Sequence, residues 1–550
     1  MQTKKKISNF KVWLIPALAI SLLVSCNPTS LPSGESGPTD SSVETTEPTI
    51  SDESSTQDSV DTTESSETTE VSTETTDKSE DLTDTSTGTP IDPTVDPSED
   101  TSVDTSEKPT GKIEFDVFTL NDFHGATQYV SQTYPAIGLA KLSTVFRTFA
   151  AEQTSFFLSS GDMWQETIES NSNRGAYVTE AFNRIGLDAM TIGNHEFDWG
   201  VKYIVDNSKI ADYPFLAANI FNKTTGEYIE GTEPSTIIER DGLKVGVIGV
   251  IGPAQYNSIS YQQVAEYEFL NEYNYVINEA KFLREKGADV IILSSHDGFA
   301  NDDMTAVKKA MINDASIDMV IAGHTHTLQN ESFTRDDGQE VPLIQAYSKG
   351  TAFGHVSFTY DFDSSKLTVD SRKVENFKNY AHYEADQEII DLYNEKYNVD
   401  DLKTEHIVEA KTDFSKEEGG ILASTAIYEK IRSMDEYKDY DIIAGYHNTA
   451  RNAIAKGNLN YEGLFNSYPF DNEIIIYAVN SSYISRGYYY FQTGFTKTSF
   501  TGTKYIAAID YIAYKTIGLD KGVRTGLFVR DILKEYLQNK KVITASDYYN

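Results

Sequence analysis

One arrangement constrains the fold more than any other: a short apolar run, suited to a buried strand, followed within four residues by Asp, Asn or His. Phe115–Leu120 is followed by Asp122 and His124, and Phe156–Leu158 by Asp162. Ala189–Ile192 precedes Asn194 and His195, Val290–Leu293 precedes His296, and Met319–Ala322 precedes His324 and His326. Such side chains pack badly against apolar neighbours and need polar partners. At the carboxyl ends of strands they have them, because α/β proteins assemble their sites there. Five of the nine histidines lie in these positions. The pattern predicts a metal site laid out along the chain.

Helical periodicity fills the intervals. Leu139, Leu142, Val145, Phe146 and Phe149 recur at three- and four-residue steps, as do Tyr177, Val178, Ala181, Phe182 and Ile185. Gly186 can end the second helix in a left-handed conformation. Further helices are expected over about 273–286 and 304–312, and late strands at Leu343–Ala346 and His355–Tyr360. The β–α alternation predicts an α/β fold with layered sheets and helices outside. This first folded domain is placed at 112–378 and a linking helix at 379–404. A smaller α+β domain follows at 405–550, with short strands at Ile442–Ile443, Ile474–Val479 and Tyr488–Phe491.

The residues before 112 read differently. Lys4, Lys5, Lys6 and Lys11 precede an apolar stretch, Val12 to Val24, too short to span a bilayer. It ends in Leu23-Val24-Ser25-Cys26, which resembles the lipobox of bacterial lipoproteins. That resemblance implies a signal peptide at 1–25, lipidation of Cys26, and an extracytoplasmic protein anchored to the cell membrane by its acyl chains. Cys26 is the single cysteine, so an intramolecular disulfide and thiolate metal ligation are both excluded. Residues 26–111 form an acidic Ser/Thr-rich segment, expected to be a disordered tether because it can bury too little surface to offset its ordering entropy. A flexible coil of this length spans about 50 Å root-mean-square. About 22 acidic and two basic residues lie there, so roughly half of the net charge of −38 belongs to it. No basic run suggests a polymeric nucleic acid as partner.

Asp122, His124, Asp162, Asn194, His296, His324 and His326 offer seven oxygen or nitrogen donors, enough for two divalent ions bridged by one carboxylate. Ions about 4 Å apart can activate a water and neutralise a phosphoryl group. Neutral imidazoles favour zinc, manganese, cobalt or iron over calcium.

Asp122-x-His124, Gly161-Asp162, Gly193-Asn194-His195-Glu196, His296 and Gly323-His324-x-His326 together resemble the calcineurin-like metallophosphoesterases. Asn121-Asp122-Phe123-His124-Gly125 and Asn194-His195-Glu196-Phe197-Asp198 resemble the 5′-nucleotidase branch. The resemblance implies a layered αββα metallophosphoesterase domain followed by a substrate-binding domain. It implies one ion on Asp122, His124, Asp162 and His326, and a second on Asp162, Asn194, His296 and His324. Many relatives carry Gln at the position of His326. His195 and Asp198 match the catalytic dyad, in which the histidine stabilises or protonates the reacting phosphate.

In the C-terminal domain the resemblance makes Arg451 a phosphate grip and Phe470 and Tyr505 the two halves of a sandwich around a nucleobase. It places Asp510 among the substrate-binding residues. The departures are visible: Tyr446 to Arg451 stands for Asn-x-Gly-Gly-Ile-Arg, and Ala508 to Tyr511 for Gly-Gly-Asp-Gly. A further phosphate-binding Arg expected near Asp413 has no counterpart, and the two aromatics also fit ordinary core roles. The resulting expectation is a 5′-nucleotidase that hydrolyses extracellular nucleotides. The alternatives are a UDP-sugar hydrolase, a 2′,3′-cyclic nucleotide phosphodiesterase or another phosphoesterase on the same metals, and an idle surface binding protein.

Overall fold

Alternation along the strands explains how the chain builds two sheets with no wet face between them. Phe115 and Val117 point to one side of strand Lys112–Leu120, and Phe118 and Leu120 to the other. The same parity holds for Val290 and Ile292 against Ile291 and Leu293, and for Met319 and Ile321 against Val320 and Ala322. Side chains of opposite parity leave a strand on opposite faces, so a strand apolar at every position is buried on both.

A computed structural model describes residues 109–131, 135–299, 306–479, 502–517 and 521–548. One sheet runs in the order Lys366–Asn376, Ala352–Asp361, Lys112–Leu120, Ser155–Ser159, Ala189–Thr191, Phe215–Leu216, Thr232–Glu233. The second runs Leu328–Thr334, Glu340–Ala346, Met319–Ala322, Val290–His296, Leu243–Ile251, Ser235–Arg240. Both are parallel at their centres; the first is antiparallel at one edge and the second at both. Phe115, Leu158, Val245, Ile292 and Ile321 share the core between the sheets. Helices Leu139–Glu152 and Ala176–Ile185 cover the outer face of the first sheet, and Tyr273–Glu285 and Ala306–Asp314 that of the second. The result is the expected αββα layering.

Helix Gln387–Leu392 lies between this region and the C-terminal elements. There a four-stranded sheet, ordered Ile442–Tyr446, Lys504–Ile509, Glu473–Val479, Val523–Phe528, packs on helix Lys416–Ser433. That helix starts with a capping box, in which Ser415 and Glu418 each accept the other's backbone N–H. The strand expected at Tyr488–Phe491, the lipobox with Cys26 and the acidic segment up to residue 108 lie outside the described residues. Among the described residues no helix is long and apolar enough to cross a membrane.

Candidate metal centre and substrate cavity

The parallel strands deliver the donor side chains to one edge of the two sheets. Leu120 pairs with Ser159 and Ser159 with Met190 in one sheet, while Ser295 pairs with Ala322 in the other. Their carboxyl ends are therefore level. Hydrogen bonds lock the ends together across the sheets: Thr191 Oγ1 to Ser294 Oγ at 2.5 Å and Ser160 Oγ to the Ala322 carbonyl at 2.8 Å.

Backbone conformation then turns the side chains inward. Asp122, His124, Asp162, His324 and His326 have φ of 47°, 50°, 57°, 76° and 56°. Each such residue costs about 1–3 kcal/mol and persists only where its surroundings enforce it. Gly193 has no room for a side chain, since a Cβ there would overlap the Asp162 carboxylate.

The geometry brings all seven predicted ligands together. The ligand atoms of Asp122, His124 and His326 lie within 4.8 Å of one another, as do those of Asp162, His296 and His324. Asn194 Oδ1 stands 2.9 Å from His324 Nδ1 and 3.2 Å from His296 Nε2. Asp162 belongs to a third cluster with His124 and His195, so its carboxylate stands between the two groups. The ring nitrogens support a metal fit. Nδ1 of His124 lies 3.1 Å from the Gln165 carbonyl, and that of His296 lies 2.7 Å from the Ser160 carbonyl. Donating Nδ1–H outward fixes the tautomer and leaves the Nε2 lone pair facing the cluster, as metal-binding imidazoles require. The donor set and its outer hydrogen bonds therefore fit a binuclear metal site.

His195 is arranged differently. Its Nδ1 meets Asp198 Oδ2 at 2.7 Å, and its backbone N–H donates to Asp162 Oδ1 at 2.8 Å. Burial alone would lower the imidazole, but Asp198 and Asp162 push it up to about 10. Burial would pull His296 down as well, yet Asp162 pushes it up to about 9. His124 falls to about 4, through burial and the neighbouring His195. Burial works to raise the Asp162 carboxyl, but His296 and His195 hold it well below the usual carboxylate range.

Two residues that sequence reasoning left without a role hold this arrangement. Glu196, fully buried, accepts backbone N–H groups from Asp162 at 2.9 Å, Met163 at 2.8 Å and Gly193 at 2.8 Å. It thereby ties the Asp162 turn to the Asn194 turn. Glu166 faces His124 Nδ1 at 3.8 Å and pairs with Lys349 at 2.8 Å and Arg451 at 2.9 Å. The first sits inside the Gly193–Asp198 motif and could have been suspected from it; no local signal marks the second.

A cavity of about 470 Å³ opens from Asn194, His195, Asp198 and His324 onto the C-terminal region. Arg451, Phe470 and Asp510 line it. Phe470 stacks on His195 with ring centroids 5.9 Å apart and planes 19° apart. Asp510 accepts from Ser260 Oγ at 2.8 Å and Asn472 Nδ2 at 2.9 Å, and burial raises its carboxyl. Tyr505 is not brought to this cavity. It pairs in register with Ile442 and packs edge-on against Tyr440 at 4.9 Å, four residues from Ile509, the strand end that lines the cavity. Tyr511 lines the cavity in its place. So does His447, which follows strand Ile442–Tyr446 much as His124, His195, His324 and His326 follow theirs, and which burial lowers to about 4. His355 pairs with Asp116 at 3.1 Å, away from the cluster.

Residues 116–328 match the family model for calcineurin-like phosphoesterase. Snake venom 5′-nucleotidase from Crotalus adamanteus is 31% identical over 280 residues, which are 46% of this chain and 46% of that protein. The chain thus spans about half the length of that relative. Apyrase from Tabanus yao is 23% identical over 433 residues, covering 72% of this chain and 76% of that protein. The crystal structure of a 5′-nucleotidase precursor from Thermus thermophilus superposes with a TM-score of 0.61 at 20% identity, over 78% of this chain and 97% of its own. The fold is that of the calcineurin-like metallophosphoesterases related to 5′-nucleotidases. With the ligand clusters, it is consistent with a metal-dependent phosphoesterase active site.

Proposed function

We propose that the chain is an extracytoplasmic dinuclear-metal phosphohydrolase that acts on nucleotides. The observation that carries this reading is the pair of donor clusters on either side of Asp162, with the Nδ1 atoms of His124 and His296 directed to backbone carbonyls. Asp122, His124, Asp162 and His326 would hold one ion, and Asp162, Asn194, His296 and His324 the other. When bound, two such ions neutralise phosphoryl charge and make water a better nucleophile. His195, oriented by Asp198, delivers a proton at the leaving oxygen, the way a carboxylate-held histidine serves as general acid. Phe470 and Tyr511 offer flat faces for a base, and Asp510, already fixed by Ser260 and Asn472, accepts hydroxyl protons of the attached sugar. Residues 405–550 serve as the substrate-binding domain, with Arg451 directed to the phosphate. The lipobox and the acidic segment support attachment through Cys26 to the outer side of a cell membrane.

Purified protein reloaded with Mn²⁺, Zn²⁺ or Co²⁺ and assayed on AMP, UDP-glucose, 2′,3′-cyclic AMP and an aryl phosphate tests the reading. Metal-dependent turnover with a preference for nucleotide substrates is expected. No turnover with any metal would leave the surface-binding alternative. Acyl-chain labelling of the expressed wild-type protein, lost in Cys26→Ser, tests the anchor; an unlabelled wild type would refute it.

A further inference from the structure

Glu166 stands out on three counts. Its φ of 128° lies in a region that L side chains rarely adopt, so its backbone is held there against strain. Its side chain is only 9% exposed. And a single oxygen, Oε1, accepts from both Lys349 Nζ at 2.8 Å and Arg451 Nε at 2.9 Å. Arg451 lines the 470 Å³ cavity on the His195 side, while Glu166 and Lys349 line a second cavity of about 710 Å³ on the His124 and His326 side. The Glu166–Arg451 pair therefore stands where two cavities meet beside the metal cluster, with Pro469 lining both.

Two consequences follow from charge and shape. A carboxylate at that junction offsets part of the charge of Arg451 and Lys349 and repels any added negative charge on a phosphoryl group there. A monoester presents a dianion, whereas a diester presents a single charge. A monoester also has one organic arm and can fill one cavity only, whereas two separate arms on one phosphorus fill both. We infer that Glu166 is a specificity-determining residue that turns this site toward phosphodiesters joining two separate organic groups and away from terminal phosphate. The inference rests on the phosphoesterase reading above and narrows its substrate class. In the reaction, water oxygen bonds to phosphorus and one of the two ester P–O bonds breaks. The departing oxygen keeps the bonding pair and takes a proton, so an alcohol and a phosphomonoester result. The monoester, with its second charge, is then the species Glu166 disfavours, and hydrolysis stops there.

Bis(p-nitrophenyl) phosphate and p-nitrophenyl phosphate share a leaving group and differ in charge and in the second arm, so they isolate the effect. The Mn²⁺-loaded wild type should show the higher kcat/KM on the diester, with p-nitrophenyl phosphate accumulating in ³¹P spectra. Glu166→Gln should raise the monoester-to-diester ratio of kcat/KM by about fivefold, the scale of one like-charge contact fully screened by water. The change should be carried by the monoester KM. Glu166→Gly, which also relieves the backbone, should move the ratio the same way. A purely structural tie would lower Tm and leave the ratio where it was, which would overturn the proposal. So would a wild type that prefers the monoester, a result that needs no variant to fold. Loss of both activities in the metal-loaded wild type would instead sink the phosphoesterase reading itself.

Discussion

The metal-ligand end of the cavity and the end proposed to hold a base are built by different means. At the metal end each donor lies within four residues of a strand, and its direction is set by the backbone: five left-handed residues, and turns clamped by Glu196. At the base end Phe470 rests on a histidine, Arg451 on a glutamate and Asp510 on a serine, each from the other end of the chain. Pro469 is fixed the same way, its carbonyl accepting from Gln165 Nε2 at 3.1 Å and Asn171 Nδ2 at 3.2 Å. At the metal end the direction of each donor is thus set by its local backbone, while the base end depends on side chains meeting across long separations. Changes at the first should abolish chemistry; changes at the second should redirect it.

The largest effect is expected at the shared carboxylate. Asp162→Ala removes a donor common to both ion clusters, so activity should fall to assay background and stay there in excess Mn²⁺. His326→Ala touches one cluster only and should regain activity as the metal concentration rises. Equal rescue of both variants would erase the distinction between a shared and a single ligand.

Next is His195→Asn. General acid help is worth about 10²–10⁴ in rate. The loss of kcat should approach that range for a nucleotide, whose alkoxide leaves poorly, and be much smaller for p-nitrophenyl phosphate. Both ions should remain bound; loss of an ion would make His195 a ligand, as its distance to His124 and Asp162 permits.

Glu196→Gln tests the clamp. A Gln cannot accept all three N–H groups, because one of its terminal atoms is itself a donor. By the scale of groups that orient metal ligands, metal affinity should weaken by about 10–100-fold, read by calorimetric titration. Unchanged affinity would show that the turns hold without it.

The smallest effects belong to the base end. Phe470→Ala and Tyr511→Ala should each cost about 1–3 kcal/mol of nucleotide binding, as lost base stacking does elsewhere. Aryl phosphate kinetics should change less. Tyr505→Ala should lower stability and leave the preference for nucleotides intact. If Tyr505 rather than Tyr511 sets that preference, the base end is arranged differently.

This contrast also decides what was legible in the sequence. The layered sheets and the seven donors were, because apolar parity and a polar residue past a strand end are local signals that survive any detail of packing. The left-handed φ values at Asp122 and His326 were not, since neither residue type announces them. Tyr505 was placed by resemblance in a stretch where the motif itself had changed. Only the register of Lys504–Ile509 against Ile442–Tyr446 puts Asp510 and Tyr511, and not Tyr505, at the cavity. Glu166 was invisible, because its meaning comes from Arg451, 285 positions away.

The central claim, that two ions share Asp162, is tested most directly by metal stoichiometry. Protein stripped with chelator, reloaded with Mn²⁺ or Zn²⁺ and freed of excess should contain two ions per chain by elemental analysis, with activity following the second. One ion or none per chain, at full retention of fold, would contradict it.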